Sequence, residues 1–162
     1  MKKHIDYIVE YLKQQPIKGC ITGSALLGYF DGQDVDLFVY DEKSFTKILF
    51  NLQYNSSFLI LDPLEQWKLD QFINKEYNNK ARFGITTIKF VYNTCIDVNI
   101  IFKKNCTNIF SVLSSFDMDI ICKGYDIETR QYLDLTEKLP GNQATWNKWT
   151  TNCYDPELWQ IG

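Results

Sequence analysis

Hydrophobic residues at the start of the chain recur with the spacing of an α-helix. Ile5, Ile8 and Leu12 fall three or four positions apart, so that they share one side of a helix. Pro16 cannot continue a helix, because it lacks a backbone N–H and its ring clashes with the preceding turn. The pattern therefore predicts an amphipathic helix over residues 3–15.

Further along the chain, apolar residues run together or alternate with polar ones, which is typical of strands. The predicted strands cover residues 17–22, 34–40, 58–61, 85–92, 95–102, 116–125 and 132–135. Further helices are predicted over residues 25–30, 41–52 and 106–113. Residues 64–80 show a mixed pattern, in which we expect a strand near residues 69–73. Helices and strands are therefore interspersed through most of the chain.

Two of the predicted strands are joined by a short connection. Only Asn93 and Thr94 separate residues 85–92 from residues 95–102, which is the length of a two-residue β-hairpin loop. The last stretch, residues 140–162, is rich in Trp, Asn and Thr and shows no period. We interpret it as a tail whose tryptophans pack against the body of the protein.

The composition is that of one globular domain. With 162 residues, of which 45% are hydrophobic, the chain can bury a single core. Carboxylates interrupt the apolar residues near the N-terminus, which disfavours a signal peptide, and no apolar run approaches the roughly 20 residues of a membrane span. We therefore expect a single domain over residues 1–162, located in the cytoplasm and without a membrane partner.

Charge and cysteine usage argue against several classes of protein. The formal net charge of −3 does not favour a protein that grips a long nucleic-acid backbone through many phosphate contacts. The five cysteines form no Cys-x-x-Cys pair, which argues against a disulfide framework and against a zinc knuckle. We expect the cysteines to be reduced and structural, since Cys20 and Cys95 lie in apolar runs, where a thiol behaves as a small hydrophobe.

Three aspartates form the part of the sequence that points to chemistry. Asp34 and Asp36 occupy alternate positions of a predicted strand, so their side chains share one face. Two carboxylates this close repel one another unless a cation lies between them. Asp97, on a later predicted strand, can supply a third carboxylate. Hard oxygen ligands of this kind suit Mg²⁺ or Mn²⁺, which take their remaining ligands from water and substrate phosphates.

A glycine turn precedes the aspartates. Gly23 and Ser24 follow the predicted strand at residues 17–22 and come before a predicted helix. A glycine turn lets the backbone approach a phosphate closely, and the start of the following helix offers unpaired N–H groups. The Ser24 hydroxyl can add one more hydrogen bond to a phosphate oxygen. This turn is therefore predicted to bind the phosphates of a nucleotide.

The order of these residues resembles the signature of the polymerase-β-like nucleotidyltransferase superfamily. The residues concerned are Gly23, Ser24, Asp34, Asp36 and Asp97. There a Gly-Ser or Gly-Gly turn is followed, after a short spacer, by Asp-x-Asp and then by an Asp on a later strand. The segment Gly-Ser-Ala-Leu-Leu-Gly is similar to the corresponding segment of the small members, the minimal nucleotidyltransferases. The resemblance implies an α/β (α+β) fold, in which helices flank a mixed central sheet. It also implies that the three aspartates hold Mg²⁺ or Mn²⁺ while the Gly-Ser turn holds the phosphates of a nucleoside triphosphate.

The implied activity is transfer of a nucleoside monophosphate to an acceptor hydroxyl with release of pyrophosphate. The resemblance covers residues 17–102, about half of the chain, and departs from the family pattern at Gln33, where small members often carry Ser. No helical domain for the base or the acceptor is expected after Asp97. The acceptor therefore stays open between an RNA or tRNA end, a protein and a small molecule. A second hypothesis is a catalytically inactive protein of this fold that binds a nucleotide, an RNA or a protein partner.

Other polar residues carry weaker indications. His4 is the only histidine, and its place in a surface helix disfavours a Ser-His or Cys-His catalytic pair. Asp117 and Asp119 repeat the Asp-x-Asp spacing without a Gly-Ser turn before them, and we interpret them as part of a polar sheet face. Lys89 and Lys103 lie on predicted strands that flank the third aspartate, where they either neutralise a triphosphate or solvate the sheet edge.

Overall fold

The computed structural model describes residues 2–22, 34–73, 85–116 and 123–134. Among these residues the helices are Lys2–Lys13 (α1), Glu42–Gln53 (α2), Pro63–Ile73 (α3) and Ile109–Ser114 (α4). The strands are Gly19–Thr22 (β1), Asp34–Val39 (β2), Phe58–Leu59 (β3), Ile85–Tyr92 (β4), Ile96–Lys103 (β5), Lys123–Asp126 (β6) and Gln131–Asp134 (β7). The α/β class predicted for the chain is therefore confirmed.

The seven strands of the described residues form one mixed sheet with the order β3-β4-β5-β2-β1-β6-β7. β2 and β5 pair in parallel at its centre, while the other neighbouring strands pair antiparallel. The mixed central sheet is thus confirmed. It extends beyond residues 17–102, because β6 and β7 are added on the side of β1.

One face of the sheet carries the main hydrophobic core. Val35 and Leu37 of β2 are buried there, two positions apart as the alternation of a strand requires. Three helices pack on the same face, where α1 contributes Ile8, α2 contributes Phe45 and α3 contributes Leu69. The amphipathic helix predicted at the start of the chain is confirmed.

The opposite face is covered in part by α4. Phe38 of β2 and Ile101 of β5 pack there with Val112 of α4. Since alternate residues of a strand share a face, Asp36 lies on the same side of the sheet as Phe38. The acidic residues of β2 therefore belong to the α4 face and not to the main core.

Side-chain caps fix the beginning of two helices. Asp41 Oδ1 accepts a hydrogen bond from the N–H of Ser44 at 2.6 Å, just before α2. Asn108 Oδ1 accepts one from the N–H of Ser111 at 2.8 Å, just before α4. The helix predicted to follow β2 thus begins where the sequence indicated.

α3 takes the place of a predicted strand. The mixed pattern there led us to expect a strand near residues 69–73, and this prediction was wrong. Leu69 and Phe72 are buried three positions apart, which is the spacing of a helix. The helical period was hidden because Leu64 and Trp67, which are exposed, are apolar as well.

α3 also covers part of the edge of β4. β3 pairs only with the end of β4, so among the described strands none adjoins Thr87 and Lys89 on that side. The N–H of Lys89 donates to Glu65 Oε2 at 3.0 Å, and Lys68 Nζ donates to the carbonyl of Thr87 at 3.2 Å. Glu65 and Lys68 also form an ion pair at 3.1 Å. This pair therefore supplies hydrogen-bond partners for two backbone groups of the strand edge.

The β4–β5 hairpin has a three-residue loop, and the prediction of a two-residue loop was wrong. Tyr92 pairs with Ile96, which leaves Asn93, Thr94 and Cys95 in the turn. Asn93 and Thr94 adopt positive φ angles of 52° and 58°. Cys95 is exposed in this loop, so the interpretation of its thiol as a small hydrophobe does not hold there. The apolar run around Cys95 is interrupted by the turn, which faces solvent.

Other predicted elements differ in their ends or lie outside the described residues. The last part of the strand predicted over residues 116–125 is observed, as β6 begins at Lys123. The predicted helix at residues 25–30 and the tail at residues 140–162 lie outside the described part of the chain. Within that part, no helix is long and apolar enough to cross a membrane.

Candidate functional site

The aspartates of β2 lie where the apolar cover of the sheet ends. Along the α4 face, Asp34 is exposed, Asp36 is partly buried, and Phe38 is fully packed against α4. The strand thus passes from solvent into the protein within five residues. Carboxylates at such a boundary are accessible to ligands while their backbone is held by a buried strand.

Parallel pairing of β2 with β5 brings the third aspartate to the first. Asp34 and Asp97 are direct Cα partners, on strands that lie about 4.8 Å apart. Paired residues of neighbouring strands place their side chains on the same face, so Asp97 shares the face of Asp34 and Asp36. The sheet therefore gathers the three aspartates on adjoining strands.

Asp36 has a specific partner on β5. Nδ2 of Asn99 donates a hydrogen bond to Oδ1 of Asp36 at 2.9 Å, and the two residues are Cα partners. The pKa of Asp36 lies above its ordinary value of 3.8, because burial and the charge of Asp34 raise it more than the Asn99 hydrogen bond lowers it. A cation beside Asp36 would oppose this shift, since it favours the charged carboxylate.

The carboxylates suit a divalent cation chemically, although they do not form a closed cage. Across the described ranges, no group of three His, Cys, Asp or Glu side chains lies close enough together to hold a metal ion. Mg²⁺, however, is usually bound by one or two carboxylates, with water and substrate phosphates as its other ligands. Asp34 and Asp36 provide such a pair, since the charge of Asp34 acts on the Asp36 carboxyl. Oxygen donors of this type fit Mg²⁺ or Mn²⁺.

Part of the predicted site lies outside the described residues. This applies to Gly23 and Ser24 of the predicted phosphate turn, and to Asp117 and Asp119. The structure does show that β1 ends at Thr22, which pairs with Asp36. The chain therefore leaves β1 level with Asp36, immediately before the predicted phosphate turn.

The remaining polar candidates lie at different distances from the aspartates. Lys89 of β4 pairs with Asn99, so it occupies the same face one strand further from Asp36. Lys103 pairs with Ile85 at the opposite end of β5. His4 belongs to α1, which packs on the other face of the sheet. Of these three, Lys89 is the one that the sheet brings towards the acids.

Sequence reasoning gave no role to Asn99, which the structure places beside Asp36. One signal was present, because Asn99 follows Asp97 by two positions and therefore shares its face in any strand. Its partner was not readable, since the contact depends on which strand lies next to β2. That order is a property of the whole sheet.

Comparison with known proteins adds no family to this description. No model of a known protein family matches the chain, and no curated protein matches it significantly.

Proposed function

We propose that the protein is a metal-dependent nucleotidyltransferase, which moves a nucleoside monophosphate from a nucleoside triphosphate to an acceptor hydroxyl. The observation that carries this proposal is the pairing of Asp34 with Asp97 across β2 and β5, with Asp36 on the same face. The resemblance noted in the sequence implies this set of acids. The proposal is supported by the sheet, which pairs acidic residues that are far apart along the chain.

Each predicted residue has a role in the proposed reaction. Asp34 and Asp36 would hold a divalent cation, Mg²⁺ or Mn²⁺, which would neutralise charge at the phosphates and favour the ionised form of the acceptor hydroxyl. Asp97 accepts the hydroxyl proton and later releases it to water. The hydroxyl oxygen forms a bond to the α-phosphorus, the bond from that phosphorus to the bridging oxygen breaks, and pyrophosphate leaves. Gly23 and Ser24 bind the departing phosphates.

The protein contributes mainly position and preorganised charge, as in phosphoryl transfer generally. β2 and β5 are interior strands with a paired strand on each side. Their backbones are therefore among the most restrained in the sheet, and a rigid support keeps catalytic side chains in a productive geometry. This support also balances the cost of holding like charges together, as at Asp34 and Asp36.

We also propose that the protein works in the cytoplasm, on an acceptor that is an RNA end, a protein or a small molecule. Cys20, Cys95 and Cys106 all carry free thiols. Free thiols suit the reducing environment of the cytosol, where structural disulfides are rare.

The test is transfer of label from each nucleoside triphosphate, labelled at the α-phosphate, to total cellular RNA and protein. The wild type is compared with Asp34→Asn/Asp36→Asn in the presence of Mg²⁺ or Mn²⁺. A matched control is Asp6→Asn/Asp70→Asn, which removes the same charge from two exposed positions on helices. We expect metal-dependent transfer in the wild type and in the control, and none in the β2 variant.

A small-molecule acceptor is covered by a second readout, in which nucleoside triphosphates labelled at the γ-phosphate are incubated with a metabolite extract and the release of labelled pyrophosphate is measured. Equal transfer by the wild type and by Asp34→Asn/Asp36→Asn would show that the activity does not depend on these acids. Absence of both transfer and pyrophosphate release, together with thermal stabilisation by a nucleotide, would instead support the inactive nucleotide-binding protein.

A further inference from the structure

The side chain of Asn99 contacts one of the proposed cation ligands directly. Its Nδ2 lies 2.9 Å from Oδ1 of Asp36. Both residues are partly buried and occupy paired positions of parallel strands, so the contact joins two strands that pair directly in the sheet. It belongs to the sheet and not to a mobile loop.

A carboxylate needs such a contact to keep one orientation. The terminal torsion of Asp has a broad energy profile, so an unrestrained carboxylate turns through a wide range. A hydrogen bond to Oδ1 of Asp36 limits this rotation and leaves Oδ2 without that donor. Hydrogen-bonded partners of metal ligands act in this way in metal sites generally, by orienting the ligand.

The chemistry of an amide suits this position better than the alternatives. A lysine at position 99 would form an ion pair with Asp36 and would compete with a cation for the carboxylate. An aspartate there would add another negative charge next to Asp36 and two positions from Asp97, which raises the repulsion within the cluster. Asparagine donates a hydrogen bond without changing the charge.

We infer that Asn99 is a positioning residue of the proposed active site, whose amide holds the Asp36 carboxylate in the orientation that receives a divalent cation. This inference rests on the proposed function, because it takes Asp36 to be a cation ligand. It concerns the free protein, however, and can be tested without nucleotide, acceptor or turnover.

The experiment is a titration of the purified protein with Mn²⁺ alone, in which free Mn²⁺ is measured by electron paramagnetic resonance. Asn99→Leu removes the donor and keeps the approximate size of the side chain. Background binding is defined by Asp34→Asn/Asp36→Asn. We expect Asn99→Leu to raise the Kd for Mn²⁺ roughly 10- to 100-fold, the range usual for loss of a partner that orients a metal ligand.

Asn51→Leu is the matched control. Asn51 of α2 is also partly buried, and its Nδ2 donates to Oε1 of Gln15 at 2.8 Å on the opposite side of the sheet from the aspartates. The Asn→Leu substitution therefore removes a similar side-chain hydrogen bond in each of the two variants. We expect both variants to lose stability in urea unfolding, but only Asn99→Leu to lose affinity for Mn²⁺.

A second variant covers the case in which Asn99→Leu does not fold. Asn99→Thr places a β-branched side chain on the strand, which suits β5 and is too short to replace the amide contact. We expect it to weaken Mn²⁺ binding as well. Wild-type affinity in a folded Asn99 variant would overturn the positioning role and leave the proposed metal site in place. Lack of saturable Mn²⁺ binding by the wild type would overturn the metal site, and this inference with it.

Discussion

Asp34 of β2 and Asp97 of β5 are direct partners across the parallel pair at the centre of the sheet. Their shared face is set by the apolar residues that alternate with Asp97 along β5, because Val98 and Ile100 are buried in the main core. A shift of β5 by one residue would turn Asp97 towards the core and Val98 towards solvent. Hydrophobic burial on one face of the sheet therefore fixes the acidic cluster on the other.

We expect Asp36→Asn to stabilise the protein in the absence of metal. Burial and the charge of Asp34 raise the pKa of Asp36, so the folded state disfavours its ionised form at neutral pH. Asparagine removes the charge and still offers an oxygen to Asn99. The expected gain is a few tenths to about 1 kcal/mol, the usual size for a partly exposed charge pair. Urea unfolding at pH 7 in EDTA measures it.

Asp70→Asn is the control for Asp36→Asn, since it changes the same charge at an exposed position of α3. It should leave the free energy of unfolding nearly unchanged. A lower stability for Asp36→Asn than for the wild type would mean that the Asp36 carboxylate is favourable in the fold, contrary to this expectation.

Removal of the Glu65 carboxylate should uncover the edge of β4. Glu65→Ala takes away the acceptor of the Lys89 N–H, 3.0 Å away, and the ion-pair partner of Lys68. We expect a loss of about 1.5–3 kcal/mol, typical of hydrogen bonds to charged groups. An open strand edge also promotes association between chains. Urea unfolding and light scattering at two protein concentrations measure these effects.

Gln66→Ala serves as the comparison for Glu65→Ala, because Gln66 lies on the same helix and is exposed. Its side chain donates a hydrogen bond to Asp70, one turn further along α3. It should cost little and should not cause association. Equal effects of the two substitutions would show that the contact with the β4 backbone contributes no special stability.

Much of the fold follows from the sequence because burial imposes periods on it. α1 and β2 were predicted because one side of each packs in the core. α3 was not predicted, since Leu64 and Trp67 are apolar but exposed and obscure the helical period. Local pattern also failed at Cys95, whose apolar neighbours gave no sign that the hairpin loop includes it.

The strand positions of the three aspartates could be predicted from the sequence, but their contacts could not. The spacing of Asp34 and Asp36 predicted that they share a face, which the strand assignment supports. The partners of these residues, Asp97 and Asn99, depend on the order β4-β5-β2 in the sheet. This order reflects long-range packing, which no short segment of sequence contains.

The exposed and buried cysteines should differ sharply in reactivity. Cys95 is exposed, whereas Cys20 and Cys106 are buried. Burial is the main cause that raises the pKa of Cys20 to about 12, which suppresses its reactive thiolate. We expect iodoacetamide at pH 8 to modify Cys95 rapidly in the native protein and Cys20 only after unfolding, as measured by peptide mass spectrometry. Rapid native modification of Cys20 would contradict its burial.

Stability should fall in alkaline solution for the same reason. The ordinary pKa of a cysteine thiol is 9.0, so above that pH the unfolded chain releases the Cys20 proton while the folded chain, with a pKa of about 12, retains it. Proton release then favours unfolding as the pH rises. Burial shifts the pKa of Tyr40 upward too, which adds to the effect. Cys20→Ala should show a smaller fall in Tm above pH 9 than the wild type, and an unchanged fall would exclude Cys20 as a contributor.

Gly19 should tolerate a side chain less well than Gly124, although both lie in strands beside one another in the sheet order. A Cβ at Gly19 would lie 2.5 Å from the carbonyl oxygen of Phe38, on the strand that carries the aspartates. At Gly124 the nearest contacts are 3.2 Å or longer and include side chains that can move. We expect Gly19→Ala to cost about 1–3 kcal/mol in urea unfolding and Gly124→Ala to cost clearly less. Because the clash pushes on β2, Gly19→Ala should also weaken Mn²⁺ binding. An equal loss of unfolding free energy in the two glycine variants would show that β1 and β2 can separate without strain.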